Sequence, residues 1–84
     1  MNESGLLIYV GPSFDQIVRN GTSFRGGVPP RIRAIIKKYP FINELIVPSE
    51  CLAQSKKAIR KPGSYLNMLY RKAEKIRRKE FYVI

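Results

Sequence analysis

The chain has 84 residues and is strongly basic, because 16 Lys and Arg stand against six Asp and Glu, a formal net charge of +10. It contains no His and one Cys, which excludes nucleophile pairs that use His, zinc sites that contain His, and a disulfide within the chain. With 44% hydrophobic residues, this composition predicts a single folded domain over residues 1–84 and not a disordered chain.

The first ten residues give no sign of a targeting segment. The opening MNESG is polar, and the apolar run LLIYV that follows it has five residues. That run is too short for the core of a signal peptide and far too short to span a bilayer. We therefore expect a protein that is neither secreted nor held in a membrane.

A strand and a hairpin are predicted in the first third of the chain. The run GLLIYVGP, residues 5–12, is apolar and ends at Gly-Pro, as a short strand does. Further on, Asn20-Gly21 joins two extended runs, and Asn-Gly favours the two-residue hairpin turn because both residues must adopt positive φ. This register places Ile17 opposite Phe24, on a face that covers the core.

A helix and a further strand are predicted next. Pro30 suits the first position of a helix, where a missing N–H costs nothing. Ile32 and Ile35 follow at helical spacing, and Pro40 ends the helix because the residue before a proline is pushed out of the helical region. The run FINELIVP, residues 41–48, is predicted as a strand with ELIV as its most extended part.

Two more helices are predicted in the second half. Ser49 is a natural N-cap for the helix ECLAQSKKAIR, and Ser64 can cap a third helix after the break at KPGS. In that third helix an apolar stripe at helical spacing lies opposite a cationic face. The stripe consists of Leu66, Leu69, Tyr70, Ala73 and Ile76. The final EFYVI is left open, as a short strand or a hydrophobic peg. These elements predict a small α+β domain, in which a sheet of three or four short strands, including the Asn-Gly hairpin, packs against three helices.

Catalytic chemistry is not evident in the sequence. The six acids are scattered and form no D-x-D or E-x-x-E pair that could hold a metal or act as an acid–base couple. There is no Walker-type loop and no G-x-G-x-x-G. Cys51 is interpreted as a small packing residue in preference to an activated thiolate. We expect a protein that is not an enzyme and that takes no cofactor or metal.

The basic residues are concentrated in the C-terminal third. Residues 56–84 contain ten cations and two acids, so the charges are not interleaved in compensating pairs. A charged helix face is often only solvated, but a surplus of this size predicts a polyanionic or acidic partner. The predicted polyanion-binding residues are Arg60, Lys61, Arg71, Lys72, Lys75, Arg78 and Lys79. Binding to a membrane surface is less favoured, because the apolar stripe is needed for the core.

Aromatic side chains could add stacking surfaces for bases. Tyr39 and Tyr70 fall on the apolar stripes of predicted helices, so we expect them in the core with their hydroxyl groups at its edge. Phe14 follows Gly-Pro-Ser in a polar loop and is the aromatic residue that we expect to be exposed.

The order of three segments resembles a known class of proteins. The segments LIYVGPSF, TSFRGGVPPRI and FINELIVP are similar in order to small proteins encoded in the head-structure gene blocks of tailed phages and prophages. Those begin with a strand and continue through an F-x-G-G-x-P or similar turn into a helix. The resemblance covers about residues 6–50. It implies a virion component, in the virion or the host cytoplasm, with no catalytic residues to carry over.

Two functions remain open at this point. The first is a non-catalytic structural protein of a phage head or neck, whose basic helical side contacts packaged DNA or an acidic surface of a coat or connector protein. Whether it repeats in an assembly is left open. The second is a stand-alone nucleic-acid-binding module, such as a small regulator or a ribosome-associated protein, that binds the phosphate backbone.

Overall fold

The computed structural model describes residues 6–14 and 17–81, with side chains up to residue 77. Within these ranges the chain forms a three-stranded antiparallel sheet and three α-helices, which confirms the predicted α+β class. The strands are β1 (Leu6–Tyr9), β2 (Ser23–Arg25) and β3 (Ile46–Pro48). The helices are α1 (Pro30–Lys38), α2 (Leu52–Arg60) and α3 (Tyr65–Phe81). Two 3₁₀ segments, Pro40–Leu45 and Ser49–Cys51, precede β3 and α2.

The sheet has β1 in the middle, with β2 and β3 on either side. The Asn-Gly turn forms as predicted, since the Thr22 N–H donates to the Arg19 carbonyl at 3.0 Å. The predicted register is wrong, however, because Phe24 lies opposite Leu7 of β1 and not opposite Ile17. Residues 17–19, before the turn, do not pair with β2. Instead β2 pairs with the apolar strand β1, which lies at the centre of the sheet.

The loop between β1 and the turn folds back on itself, which explains the change of register. The Phe14 N–H donates to the Val18 carbonyl at 2.7 Å, so these two residues form an isolated bridge. The Asn20 side chain donates to the Gly11 carbonyl at 2.8 Å, which holds the turn against the end of β1. Backbone groups of Phe14 and Val18 thus find partners within the loop, as buried polar groups require.

Phe14 is buried, so its predicted exposure is wrong. Its side chain is 1% exposed, and Val18, its bridge partner, is 5% exposed. The polar residues around Phe14 suggested a solvated loop, but the bridge directs the ring into the core. The adjoining Ser13 carbonyl accepts a hydrogen bond from Nη1 of Arg77 at 3.3 Å, which ties this loop to α3.

The segment between α1 and β3 is mostly 3₁₀ helix where a strand was predicted. Helix α1 begins at Pro30 and buries Ile32 and Ile35, as predicted. Residues 41–45 then continue a 3₁₀ segment that buries Ile42 and Leu45. Side chains three residues apart are aligned in a 3₁₀ helix, so both residues of this pair face the core. In a strand, residues three apart would point to opposite faces. Only the last part of the run, Ile46–Pro48, is extended.

The two remaining helices differ in how they begin. Ser49 is the first residue of the short 3₁₀ segment, and the N-cap position of α2 is held by Cys51, so the predicted cap is wrong. Ser64 does cap α3, because its Oγ accepts from the Asn67 N–H at 3.1 Å. Gly63 precedes it with a φ of 85°, which a residue with a side chain rarely adopts. Helix α3 continues to residue 81, so it includes the start of EFYVI, whereas residues 82–84 lie outside the described residues.

Tyr9 lies in the centre of the core. Its ring is fully buried, and its hydroxyl group donates to the Pro12 carbonyl at 2.7 Å. Burial raises the pKa of this phenol above its usual value; Tyr70 raises it further, while the positive charge of Arg77 opposes the increase. Leu69 and Ala73 of the predicted stripe are also buried, so α3 turns one face to the core and the opposite face outward.

Candidate nucleic-acid interface

The outward face of α3 presents three exposed cations. Arg71 and Lys72 lie four and three residues before Lys75, so the three side chains fall within an arc of about 100° on one face of the helix. Together with Met68, whose side chain is 60% exposed, they line a shallow groove of about 490 Å³. These three cations were predicted from the sequence as polyanion-binding residues, and the fold brings them together.

A second groove, of about 450 Å³, adjoins the first and is lined by two segments of the chain. Helix α1 ends before Pro40, and the 3₁₀ segment that follows packs against α3. This packing brings Lys38 to the same groove as Lys72 and Lys75, far from them in sequence. The residues that line the groove are Lys38, Tyr39, Pro40, Phe41, Lys72, Lys75 and Ile76. Because Lys72 and Lys75 line both grooves, we treat the two as one surface, the basic surface, defined by Lys38, Arg71, Lys72 and Lys75.

The floor of the basic surface is aromatic. The Nζ atom of Lys72 lies 4.8 Å from the centroid of the Phe41 ring, and Nζ of Lys38 lies 5.5 Å from that of Tyr39. The two rings meet edge to face, with centroids 6.5 Å apart and an angle of 67° between their planes. An exposed ammonium group over a ring gains about 0.5–1 kcal/mol. Lys72 is therefore held only weakly over the partly buried Phe41 ring.

Among the described residues, the charged side chains that line the basic surface are all positive. No carboxylate among the described residues lines either groove. Glu74 is half-buried and lines neither groove; it lies about 200° around α3 from Lys72, but it is three residues from Arg71 and next to Lys75, at the edge of this surface. Four cations that line grooves without a described carboxylate generate a local positive potential that attracts polyanions.

The other predicted residues lie elsewhere or outside the described part. Arg60 lines a separate groove with Lys56 and Tyr70, on the flank of α3 that faces away from Lys72. Lys61 is exposed in the loop between α2 and α3 and lines none of the grooves described above. The side chains of two further predicted residues, Arg78 and Lys79, lie outside the described residues.

Sequence reasoning missed two members of this site. Lys38 is absent from the predicted polyanion-binding residues, and Phe41 falls in the run predicted as a strand, so the sequence links neither residue to α3. The local signal is the succession of Lys37-Lys38, Tyr39 and Phe41 around Pro40, which combines cations with aromatic rings. Nothing in that signal indicates which helix the segment packs against, since that depends on the 3₁₀ turn.

Two other kinds of site have no candidate in the described ranges. In residues 6–14 and 17–81, no three His, Cys, Asp or Glu side chains come close enough together to hold a metal ion. Over the same residues, no helix has the length and sustained hydropathy that crossing a bilayer requires. Cys51 is a half-buried free thiol at the end of a 3₁₀ segment.

Comparisons with protein-family models, with curated proteins and with solved structures found no match to this chain. The resemblance of residues 6–50 to phage head proteins thus stays a prediction. The geometry and charge of the basic surface are therefore the basis for assigning a function.

Proposed function

We propose that this protein is a non-catalytic nucleic-acid-binding protein that holds a phosphate backbone on its basic surface. One observation supports this most strongly: Lys38 of α1 and Lys72 and Lys75 of α3 converge on a single groove that no described carboxylate lines. A helix face that is only solvated would not need a cation from a second, distant segment of the chain.

Phosphate binding fits the residue types on this surface. Each lysine that neutralises a phosphate releases condensed counterions, which supplies most of the affinity for a nucleic-acid backbone. Arg71 adds a planar group that can contact a phosphate through two hydrogen bonds. Arg71 and Lys75 lie about one helical turn apart, roughly 6 Å along α3, so both can engage neighbouring phosphates of one strand.

A role in a phage head would use the same surface within an assembly. Packaged DNA or an acidic coat or connector surface is then the partner, as the resemblance of residues 6–50 implies. That setting remains a prediction, and phosphate binding by the basic surface does not depend on it.

The proposal is tested by reversing two charges on the basic surface. The variant Lys72→Glu/Lys75→Glu is compared with Lys56→Glu/Lys57→Glu, a matched pair of exposed lysines on α2. Both changes lower the net charge from +10 to +6. Affinity for a fluorescently labelled 12-nucleotide strand is measured by anisotropy at 0.1 M salt, and circular dichroism checks the fold of each variant.

The two variants are expected to differ strongly. Each phosphate contact on a single strand contributes about 0.7 log units at 0.1 M salt, so losing two contacts weakens binding by about 25-fold or more. The α2 variant should lose less than about threefold, through its long-range charge alone. Equal losses in the two variants would show that net charge, and not this surface, determines binding.

A further inference from the structure

The basic surface has a feature that phosphate binding does not need. Its floor consists of the Tyr39 and Phe41 rings, and Phe41 is only partly buried. Phosphates are hydrated and gain nothing from an aromatic floor, whereas nucleic-acid bases stack on one. The groove volume of about 450 Å³ falls within the range of sites that enclose small molecules, roughly 300–1,000 Å³.

A further ring, that of Tyr65, is exposed on the face of α3 that carries Lys72. Tyr65 and Met68 are the large hydrophobic side chains that are most exposed among the described residues, at 64% and 60%. Tyr65, Met68 and Lys72 are spaced three and four residues apart, so they lie in a row along the helix. Tyr65 lies about 10 Å from Lys72 along the axis of α3. Apolar side chains at the start of α3 are thus followed by cations along one face of the helix.

We infer that the basic surface binds single-stranded nucleic acid in preference to a duplex, with one base stacked on Phe41, a second on Tyr65, and phosphates on Lys72 and Lys75. This inference rests on the proposed function and names its substrate class. Bases in a duplex are already stacked and paired, so their faces cannot reach the rings. A single strand exposes both bases and phosphates, which matches a surface that carries both aromatic rings and cations.

Lys72 covers the Phe41 ring in the absence of ligand and must move when a base enters. At an exposed site, contact with the ring favours this position of the Lys72 side chain by a factor of about 2 to 5. A base stacked on an aromatic side chain contributes a factor of about 5 to 150 in affinity. The exchange is therefore favourable, and the displaced ammonium group becomes free to contact the adjoining phosphate.

The test separates the contribution of bases from that of phosphates. Affinities are measured by anisotropy at 0.1 M salt for a 12-nucleotide thymidine strand, for an abasic strand of the same length, and for a 12-base-pair duplex. The proteins are the unmodified chain, Phe41→Leu, which keeps an apolar floor without a ring, and Lys72→Glu/Lys75→Glu. Tyr65→Ser, at an exposed position, supplies the same test if Phe41→Leu does not fold.

The unmodified protein is expected to bind the thymidine strand at least 10-fold more tightly than the abasic strand or the duplex. Phe41→Leu, or Tyr65→Ser, should lose at least fivefold on the thymidine strand and less than twofold on the other two. Equal binding of all three nucleic acids, with no effect of either ring substitution, would overturn the inference. The proposed function would then still stand if Lys72→Glu/Lys75→Glu weakened binding by about 25-fold or more, whereas failure to bind any of the three would refute both.

Discussion

Replacing Phe14 by alanine tests the position of the loop that the sequence suggested was exposed. The Phe14 ring is 1% exposed and belongs to the same core cluster as Tyr9 and Ala73. Removing a buried phenylalanine ring costs about 3–5 kcal/mol, through lost transfer free energy and the cavity left behind. A chain of 84 residues has a total free energy of unfolding of about 4–13 kcal/mol, at roughly 0.05–0.15 kcal/mol per residue. Phe14→Ala is therefore expected to remove a large share of the stability.

Urea unfolding followed by circular dichroism measures this loss, and Met68→Ala is the matched control. Met68 is a large apolar residue with 60% of its surface exposed, so truncating it should change the free energy of unfolding by no more than about 0.5 kcal/mol. If Phe14→Ala lost less than about 1 kcal/mol, or no more than Met68→Ala, the ring would not lie in the core. The placement of the loop against α3 would then be wrong as well.

Two further predictions concern the core and the start of α3. Because burial raises the pKa of Tyr9 above its value of about 10 in the unfolded chain, the fold favours the neutral phenol, and this contribution is complete below pH 10 and is lost above it. Above pH 10, this group should lower the free energy of unfolding by about 1.4 kcal/mol per pH unit. Tyr9→Phe should remove that part of the slope, whereas Tyr65→Phe, at an exposed position, should keep it. Identical slopes for the unmodified protein and both variants, measured by urea unfolding at several pH values, would contradict the assignment. Ser64→Ala should lower the free energy of unfolding by about 0.5–2 kcal/mol, because it removes the cap on the Asn67 N–H. Ser64→Thr is the control, since it keeps the hydroxyl group. Equal stability of these two variants in thermal unfolding would count against the cap.

Local signals predicted the elements that local physics determines. Pro30 starts α1 because its missing N–H is harmless there, and Ser64 caps α3 because its hydroxyl group reaches the Asn67 N–H. The stripe that includes Leu69 and Ala73 has a helical period and is buried on the inner face of α3. Such features depend on neighbours within a few residues, so the sequence is sufficient to recognise them.

The errors arose where distant partners decide the structure. Phe24 pairs with Leu7 because β2 lies beside β1 in the sheet, and the Asn-Gly signal carries no information about that more distant strand. Ile42 and Leu45 are buried by a 3₁₀ segment because α1 and α3 both pack against it, although the run also has the composition of a strand. Tertiary packing overrides local preference in both cases.

The candidate site was predicted in part for the same reason. Arg71, Lys72 and Lys75 share a helix face, so their spacing is enough to group them. Arg60 was grouped with them by closeness in sequence, yet it lines a groove on the other flank of α3. Lys38 belongs to the site through the packing of the 3₁₀ segment on α3, and no spacing rule connects residues so far apart.

The salt dependence of binding tests most directly whether the basic surface holds phosphates. Four cations on a single strand predict a slope of about −2.8 for log affinity against log salt, at about −0.7 per contact. Neutralising two of them in Lys72→Gln/Lys75→Gln should reduce the slope to about −1.4, while Lys56→Gln/Lys57→Gln on α2 should leave it near −2.8. If Lys72→Gln/Lys75→Gln kept the full slope, the phosphates would not lie on this surface, and the proposed function of the basic surface would be wrong.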